Sequence, residues 1–238
     1  MTRKNPEAPD ATVKFLLYNI RYGTGTGVGY HMPLPFTGYF LPSGRNTERI
    51  LSFIKREKPD IIGLIEVDEG SYRSRKVNQA QWIAQELGYA HVYASKYGED
   101  SLVRRMPVLK SQGNAFITNQ AIMARQFHFF KAGIKKLVIE LEFDTFVIFL
   151  VHLSLKFRHR QHQLSDLLHL FKSVNKPLIV AGDFNVFWGV YELELFLEAT
   201  NLQNANVNGL PTFPSITPRR QLDFILHSPE IQVRSFSV

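Results

Sequence analysis

Polar side chains follow four apolar, strand-like runs of the sequence at the position where each run ends. The sequence places Asn19 after residues 15–18, Glu66 after 61–65, His152 after 148–151, and Asp183 with Asn185 after 178–182. Because strand ends are rigid positions, polar groups that converge there form a natural site. We therefore expect these side chains to meet in one cleft.

The Asp183-Phe184-Asn185 segment has a spacing suited to hydrolysis. In an extended chain residues two apart point the same way, so Asp183 and Asn185 face one cavity while Phe184 turns into the core. The carboxylate can orient or deprotonate water, and the amide can donate to a phosphoryl oxygen. The alternative is a turn or helix cap, where Asp and Asn bind backbone groups.

Glu66 ends a run that should be buried, where a carboxylate is costly unless it is paired or bound to a metal. A carboxylate oxygen is a hard ligand that suits Mg²⁺, or Mn²⁺, better than a softer metal. The alternative places Glu66 just past the strand, in solvent. The chain has no cysteine, which excludes disulfides and cysteine-ligated zinc.

Length and composition favour one domain over residues 13–238, preceded by a disordered tail over residues 1–12. The chain has 238 residues, of which 45% are hydrophobic and 13% aromatic, enough to bury a sizeable core. Neither a signal peptide nor an apolar stretch of ~20 residues is found. We expect a cytoplasmic monomer without stable membrane insertion.

The net charge of +7 favours contact with polyanions such as nucleic acids, phospholipid headgroups or phosphorylated metabolites. Basic residues in segments 72–76, 104–105, 158–160 and 219–220 could line a polyanion track, or could be ordinary solvated faces. The glycine-rich segment 23–29 lacks the Walker spacing of a nucleotide-binding loop. No membrane-binding hairpin is recognised, so a lipid substrate is less favoured.

Hydrophobic periodicity predicts helices alternating with strands along the whole chain. Helices are predicted over residues 45–57, 77–87, 157–174 and 191–199. Strands are predicted over residues 13–20, 60–66, 89–94, 114–118, 122–130, 136–143, 145–153, 177–181 and 221–226. Closely spaced strands pair antiparallel, so the sequence predicts a layered α/β sandwich.

Taken together and in this order, six segments resemble the endonuclease/exonuclease/phosphatase superfamily, which includes deoxyribonuclease I, exonuclease III and the sphingomyelinases. The matching segments are residues 17–20, 58–66, 113–117, 151–153, 177–185 and 221–225. The resemblance implies a four-layered α/β (α+β) sandwich, with two mostly antiparallel central sheets flanked by helices. It also implies a metal-bearing cleft at one edge of the sheets.

The resemblance implies a Mg²⁺ site, with Mn²⁺ as a substitute. Glu66 resembles the metal ligand of the family, and Asn19 lies beside it in the metal and substrate shell. Asn114 resembles a further phosphate contact.

The resemblance also implies catalytic roles for three strand-end residues. Asp183 resembles the carboxylate that positions or activates water, and Asn185 the donor to the scissile phosphate. His152 resembles the histidine that contacts the phosphate or assists the leaving group.

Asp223 resembles an aspartate that orients a second, C-terminal histidine in a Ser-Asp-His-x-Pro segment. The sequence has no Asp-His dipeptide, and it ends at Val238. Asp166 and His169 are three apart on a helix, where His169 is interpreted as a surface or boundary residue. We expect weakened turnover, from a chain truncated at its C-terminus, a degenerate family member, or a site that a partner chain completes.

The predicted function is a Mg²⁺-dependent phosphoesterase that hydrolyses phosphodiester or phosphomonoester bonds, with a nuclease as one form. The alternative is a catalytically inactive module that binds phosphate or nucleic acid.

Overall fold

The strands form two sheets, one of four strands and one of six. The computed structural model describes residues 12–24, 44–96 and 111–238. The predicted tail up to residue 11, most of the glycine-rich segment 23–29 and the Arg104-Arg105 pair lie outside the described residues.

The predicted helices and strands are all present, with ends that differ by a few residues. The helices are α1 (Gly44–Glu57), α2 (Gln79–Leu87), α3 (Phe157–Phe171) and α4 (Glu194–Thr200). The strands are β1 (Phe15–Asn19), β2 (Ile61–Asp68), β3 (Ala90–Ser95), β4 (Gln112–Thr118), β5 (Ala124–Phe129), β6 (Leu137–Glu142), β7 (Val147–His152), β8 (Leu178–Asp183), β9 (Gln203–Asn204) and β10 (Asp223–His227). The two-residue β9 was not predicted, because so short a strand has no periodicity.

The first sheet has the strand order β1-β2-β4-β3, and the second has the order β5-β6-β7-β8-β10-β9. The pairs β1–β2 and β7–β8 are parallel, and each is joined through a helix, α1 or α3. The remaining pairs are antiparallel. The predicted mostly antiparallel sheets are therefore confirmed.

Three apolar clusters separate four layers. Helices α1 and α2 pack on the outer face of the first sheet, through residues such as Ile54 and Ile83. A second cluster, which includes Phe116 and Ile148, fills the space between the sheets. Helices α3 and α4 cover the second sheet, where Leu167 lies in the third cluster. Each helix and each sheet buries its apolar face against a neighbour, so the predicted four-layered sandwich is confirmed.

Gly182 allows β7 and β8 to approach each other beside the site. A Cβ atom at this position would lie 1.9 Å from the carbonyl oxygen of Val151, so a larger residue does not fit. The parallel register then places His152 directly opposite Asp183. Glycine at this position thus sets two predicted site residues side by side.

An open groove runs between β1 and residues 230–238 and leads to Glu66 and Asp183. In the described part of the chain, β1 pairs only with β2, and its side chains are half-buried. No helix there has the length and apolar character that crossing a membrane requires.

Candidate active site

The carboxyl ends of β1, β2, β7 and β8 meet at one edge of the two sheets. Asn19 Nδ2 lies 3.3 Å from Asp183 Oδ2, which joins the first sheet to the second. His152 Nε2 lies 3.3 Å from the same carboxylate oxygen. The structure therefore brings together residues that are more than a hundred positions apart in the sequence.

Asp183 ends β8, but Asn185 has a left-handed backbone with φ of 53°, so the segment is not extended through Asn185 as its spacing predicted. Both side chains bind backbone groups, as in the alternative of a turn. The backbone N–H of Asn185 donates to Asp183 Oδ1 at 3.0 Å, and Phe184 is fully buried in the core. Asn185 Nδ2 donates to the carbonyl oxygen of Leu153 at 2.9 Å. Because an amide nitrogen carries two hydrogens, the second one remains for a ligand.

Glu66 does not end its strand, contrary to the sequence prediction, because β2 continues to Asp68. The pairing register shifts between Leu64 and Val67, and Glu66 has a left-handed backbone with φ of 58°. Asn114 Oδ1 accepts the backbone N–H of Glu66 at 3.2 Å. This bulge re-aims the side chain, a common use of bulges beside functional sites. The alternative placement in solvent is wrong, since the side chain is 12% exposed.

Lys96 is a buried cation of the site that sequence reasoning missed. Its Nζ lies 3.6 Å from Glu66 Oε1 and donates to the hydroxyl of Tyr22 at 2.5 Å. Burial lowers the pKa of Lys96 to about 8, although the negative charge of Glu66 acts to raise it. Burial alone would raise the pKa of Glu66, but nearby positive charge, foremost that of Lys96, lowers it. The signal was available, because Lys96 directly follows β3 at the same edge of the sheet.

Lys135 is the second cation that the sequence did not single out. It lies in the β5–β6 loop, where its Nζ contacts Nε2 of His152. Gln163 Nε2 holds the loop by donating to the carbonyl oxygens of Lys135 at 2.7 Å and Ala132 at 3.0 Å. Burial lowers the pKa of Lys135, and Glu66 and Asp183 oppose that change. The segment from residue 131 to 136 contains three lysines, and the sequence alone does not indicate which of them enters the site.

His152 and Asp183 have complementary protonation states. Burial, followed by the charge of Lys135, lowers the pKa of His152 to about 4, so its imidazole is neutral at physiological pH. Burial would raise the pKa of Asp183, but its contact with His152 and the charge of Lys135 lower it. The site therefore presents an ionised carboxylate beside a neutral imidazole.

Asp223 lies beside Asp183, because the two residues are partners across the antiparallel β8–β10 pair. Burial, and then the negative charge of Asp183, raises the pKa of Asp223 to about 7. Thr212 opposes that rise, and its Oγ1 accepts the backbone N–H of Asp223 at 3.1 Å. His169 is exposed on α3, as interpreted from the sequence.

The predicted polyanion track is partly wrong, because two of its arginines are buried structural cations. Arg73 pairs with Asp68 at 2.8 Å, and Arg160 pairs with Glu192. Each guanidinium is at most 1% exposed. The basic residues of these segments that are exposed are Arg75, Lys76, Arg158, Arg219 and Arg220.

The oxygen donors of this edge fit a hard cation. Within residues 12–24, 44–96 and 111–238, no three His, Cys, Asp or Glu side chains are grouped so as to hold a metal. Mg²⁺ does not need such a cage, since it commonly uses one or two carboxylates, water and substrate phosphate. Glu66 and Asn19 supply such donors. In addition, Asn114 Nδ2 and His152 Nδ1 are buried without a hydrogen-bond partner, and unsatisfied polar groups of this kind are common at functional sites.

Comparison with known proteins places the chain in a family. The family model described as Endonuclease/Exonuclease/phosphatase family matches residues 16–238. A comparison with curated proteins finds no match.

Solved structures share the fold at low sequence identity. The catalytic domain of human nocturnin, solved with a bound sulfate anion, is 22% identical, with a TM-score of 0.61, and the match covers 91% of this chain and 83% of that one. A mannosyl-6-phosphatase of Bacteroides thetaiotaomicron is 17% identical, with a TM-score of 0.65 and coverage of 92% and 86%. A family protein of Leptotrichia buccalis is 16% identical, with a TM-score of 0.65 and coverage of 93% and 89%.

Proposed function

The chain belongs to the endonuclease/exonuclease/phosphatase family, and on that premise we propose that it is a Mg²⁺-dependent phosphoesterase. It hydrolyses a phosphodiester or a phosphomonoester bond. The observation that carries the proposal is the meeting of Asn19, Glu66, His152 and Asp183 at one edge of both sheets.

Asp183 is the group that orients the attacking water or accepts its proton, because it is ionised and its Oδ1 is fixed by the Asn185 N–H. His152 is neutral and can exchange a proton or hydrogen bond with a phosphoryl or leaving oxygen. Lys96 and Lys135 bring two positive charges to the place where negative charge develops. Charges already held in place cost little reorganisation during the reaction.

Glu66 and Asn19 are the residues that would hold Mg²⁺. When bound, Mg²⁺ supplies Lewis-acid stabilisation of negative charge on a phosphoryl or leaving oxygen. The bulge at Glu66 and its hydrogen bond to Asn114 fix the carboxylate for that purpose.

We propose nucleic acid as one substrate class, which would make the protein a nuclease. The support is a net charge of +7 and exposed arginines such as Arg158 and Arg219. The sulfate bound to nocturnin has the charge and tetrahedral shape of a phosphate group, which is consistent with a phosphate site in this fold.

The test is hydrolysis of a panel: bis(p-nitrophenyl) phosphate, p-nitrophenyl phosphate, duplex DNA, single-stranded RNA and glycerophosphocholine. Each is assayed with Mg²⁺ and with EDTA. Asp183→Asn keeps the size of the side chain and removes its charge, and Asp144→Asn, in the exposed β6–β7 turn, is the matched control. Loss of a group that acts directly on the reacting atoms costs at least ~10² in rate.

The proposal expects Mg²⁺-dependent hydrolysis that falls at least ~100-fold in Asp183→Asn and is unchanged in Asp144→Asn. Glu66→Gln should raise the Mg²⁺ concentration needed for half-maximal rate. Equal rates in Asp183→Asn and the unaltered protein would refute the catalytic assignment. Absence of hydrolysis with retained binding of inorganic phosphate would favour the inactive phosphate-binding module.

A further inference from the structure

Four large apolar side chains beside the active site are exposed to solvent. They lie in the two segments that follow β7 and β8, the first of which enters α3 at Phe157, and we call them the apolar rim: Leu155 (61% exposed), Phe157 (52%), Trp188 (72%) and Tyr191 (58%). Single exposed apolar residues are common, but grouped ones mark interaction surfaces.

A buried ion pair holds the two segments of the rim together. The Arg160 guanidinium pairs with Glu192 and also donates to the carbonyl oxygen of Leu155 at 2.8 Å. Its Cζ lies 5.8 Å from the centre of the Phe157 ring. On the other segment, Glu192 Oε1 accepts the backbone N–H of Trp188 at 3.0 Å. One buried pair thus fixes residues from both segments, so the rim is a preformed surface.

The rim borders the catalytic groups directly. Leu155 follows His152 by three residues, and Trp188 follows Asn185 by three. Asn185 Nδ2 donates to the carbonyl oxygen of Leu153, which ties the starts of the two segments to each other. A surface that docks on the rim therefore faces the edge of the sheets where Asp183 lies.

Basic side chains alternate with the apolar ones where the first segment enters α3. Lys156 and Arg158 are exposed on either side of Phe157. Surfaces that bind the headgroup region of anionic membranes combine exposed Trp, Tyr, Leu and Phe with interleaved Lys and Arg. The aliphatic Leu155 adds apolar surface that a lipid can cover and a base cannot stack on, whereas the three aromatic rings suit either ligand, so single-stranded DNA is the competing ligand in the test.

We propose that the apolar rim docks the protein on an anionic phospholipid bilayer and so sets the active-site edge against the membrane surface. The rim inserts at the level of the headgroups, and Lys156 and Arg158 contact the anionic phosphates. Binding of this kind is peripheral and reversible. The proposal goes beyond the phosphoesterase activity, because docking does not require turnover.

The experiment uses Trp188 as its own reporter. The chain has two tryptophans, so Trp82→Phe leaves Trp188 as the single emitter. Its emission is recorded with vesicles of phosphatidylcholine alone and with vesicles that contain phosphatidylserine. The expected result is a blue shift with the anionic vesicles that saturates with lipid concentration. No shift with the anionic vesicles would overturn the proposal.

Binding is also measured by sedimentation with the same vesicles. Trp188→Ala should weaken it at least ~10-fold, because a large apolar side chain no longer leaves water. Lys156→Ala should weaken it about fivefold, as expected for one basic residue at an anionic surface. The matched control is Met123→Ala, which removes a 65% exposed apolar side chain just before β5, at the opposite ends of the sheets. Equal weakening by Met123→Ala would overturn the assignment to the rim.

Two further outcomes would overturn the proposal. Quenching of Trp188 by single-stranded DNA, without vesicle binding, would assign the rim to nucleic acid. A blue shift that depends on protein concentration without lipid would assign it to a second copy of the chain. Trp188→Ala should leave hydrolysis of bis(p-nitrophenyl) phosphate unchanged. Asp183→Asn should still bind the vesicles, so this variant separates failure of docking from failure of the proposed chemistry.

Discussion

Replacing Asp223 by Asn should stabilise the protein at alkaline pH and have little effect at acidic pH. The folded state raises the pKa of Asp223 from 3.8 to about 7, through burial and the charge of Asp183. Between these values the folded chain binds more protons than the unfolded chain, so the free energy of unfolding falls as the pH rises. The contribution of Asp223 to the free energy of unfolding is fully present below its pKa in the unfolded chain, 3.8. It is lost as the pH rises through its pKa in the folded chain, about 7.

The size of the effect follows from the two pKa values of Asp223. A tenfold change in proton affinity corresponds to about 1.4 kcal/mol, so the upper limit is about 4 kcal/mol. Partial exposure of Asp223 screens the charge and reduces that figure. Asn keeps the shape, and its side-chain oxygen can still accept from Thr212, which lies beside it. The variant should therefore be more stable by about 1–4 kcal/mol above pH 8.

The measurement is urea unfolding at pH 5 and at pH 8.5, with Asp144→Asn as the exposed control. We expect the difference between Asp223→Asn and the unaltered protein to be larger at pH 8.5 by at least ~1 kcal/mol. The control should show no such difference. If Asp223→Asn has the same effect at both pH values, the carboxyl is already ionised at pH 5, and the argument from burial and Asp183 is refuted.

Three further predictions concern the supports of the site. Gln163→Leu removes two hydrogen bonds to the Lys135 loop and a third from the backbone N–H of Ser154, so it should lower kcat at least ~10-fold in steady-state kinetics and also lower the melting temperature in calorimetry. Gly182→Ala, which sets Cβ against a backbone carbonyl, should lower the free energy of unfolding by at least ~2 kcal/mol in urea, whereas an unchanged midpoint would contradict the 1.9 Å approach. Glu192→Gln should cost about 3–5 kcal/mol by leaving Arg160 buried without its counter-charge. The double variant Arg160→Met, Glu192→Leu should recover only part of that loss in the same assay, because the carbonyl oxygen of Leu155 and the N–H of Trp188 also lose their partners.

The sequence was sufficient where a local pattern determines the structure. Apolar runs located nearly every strand, because a buried strand must be apolar on both faces or in alternation. The ends of those runs then located Asn19, His152 and Asp183, since parallel strands bring their carboxyl ends to one edge. The placement of Phe184 in the core followed from the two-residue period of an extended chain.

The features that the sequence did not reveal depend on distant neighbours. The bulge at Glu66 needs Asn114, which accepts its N–H from another strand. Arg160 has the same local composition as a surface arginine, and Glu192, 32 residues further along the chain, makes it a buried cation. Arg73 differs, because its partner Asp68 is only five residues away. The residue types along one segment do not identify the residue elsewhere in the fold that will contact it.

The charges of the site explain how it folds before a charged ligand arrives. Two ionised carboxylates, Glu66 and Asp183, face two lysines, Lys96 and Lys135, so charges of opposite sign balance among these four groups. Asp223, beside Asp183, limits the like charge by keeping its proton up to a pKa of about 7. Each lysine contacts a residue that the proposed reaction assigns to the metal or to the phosphate. A cation at Glu66 would compete with Lys96 for the carboxylate, and a phosphate would offer both lysines a new partner. Before a ligand binds, each lysine thus supplies the charge that a metal or phosphate would otherwise balance. The site can therefore fold without leaving a buried charge unpaired.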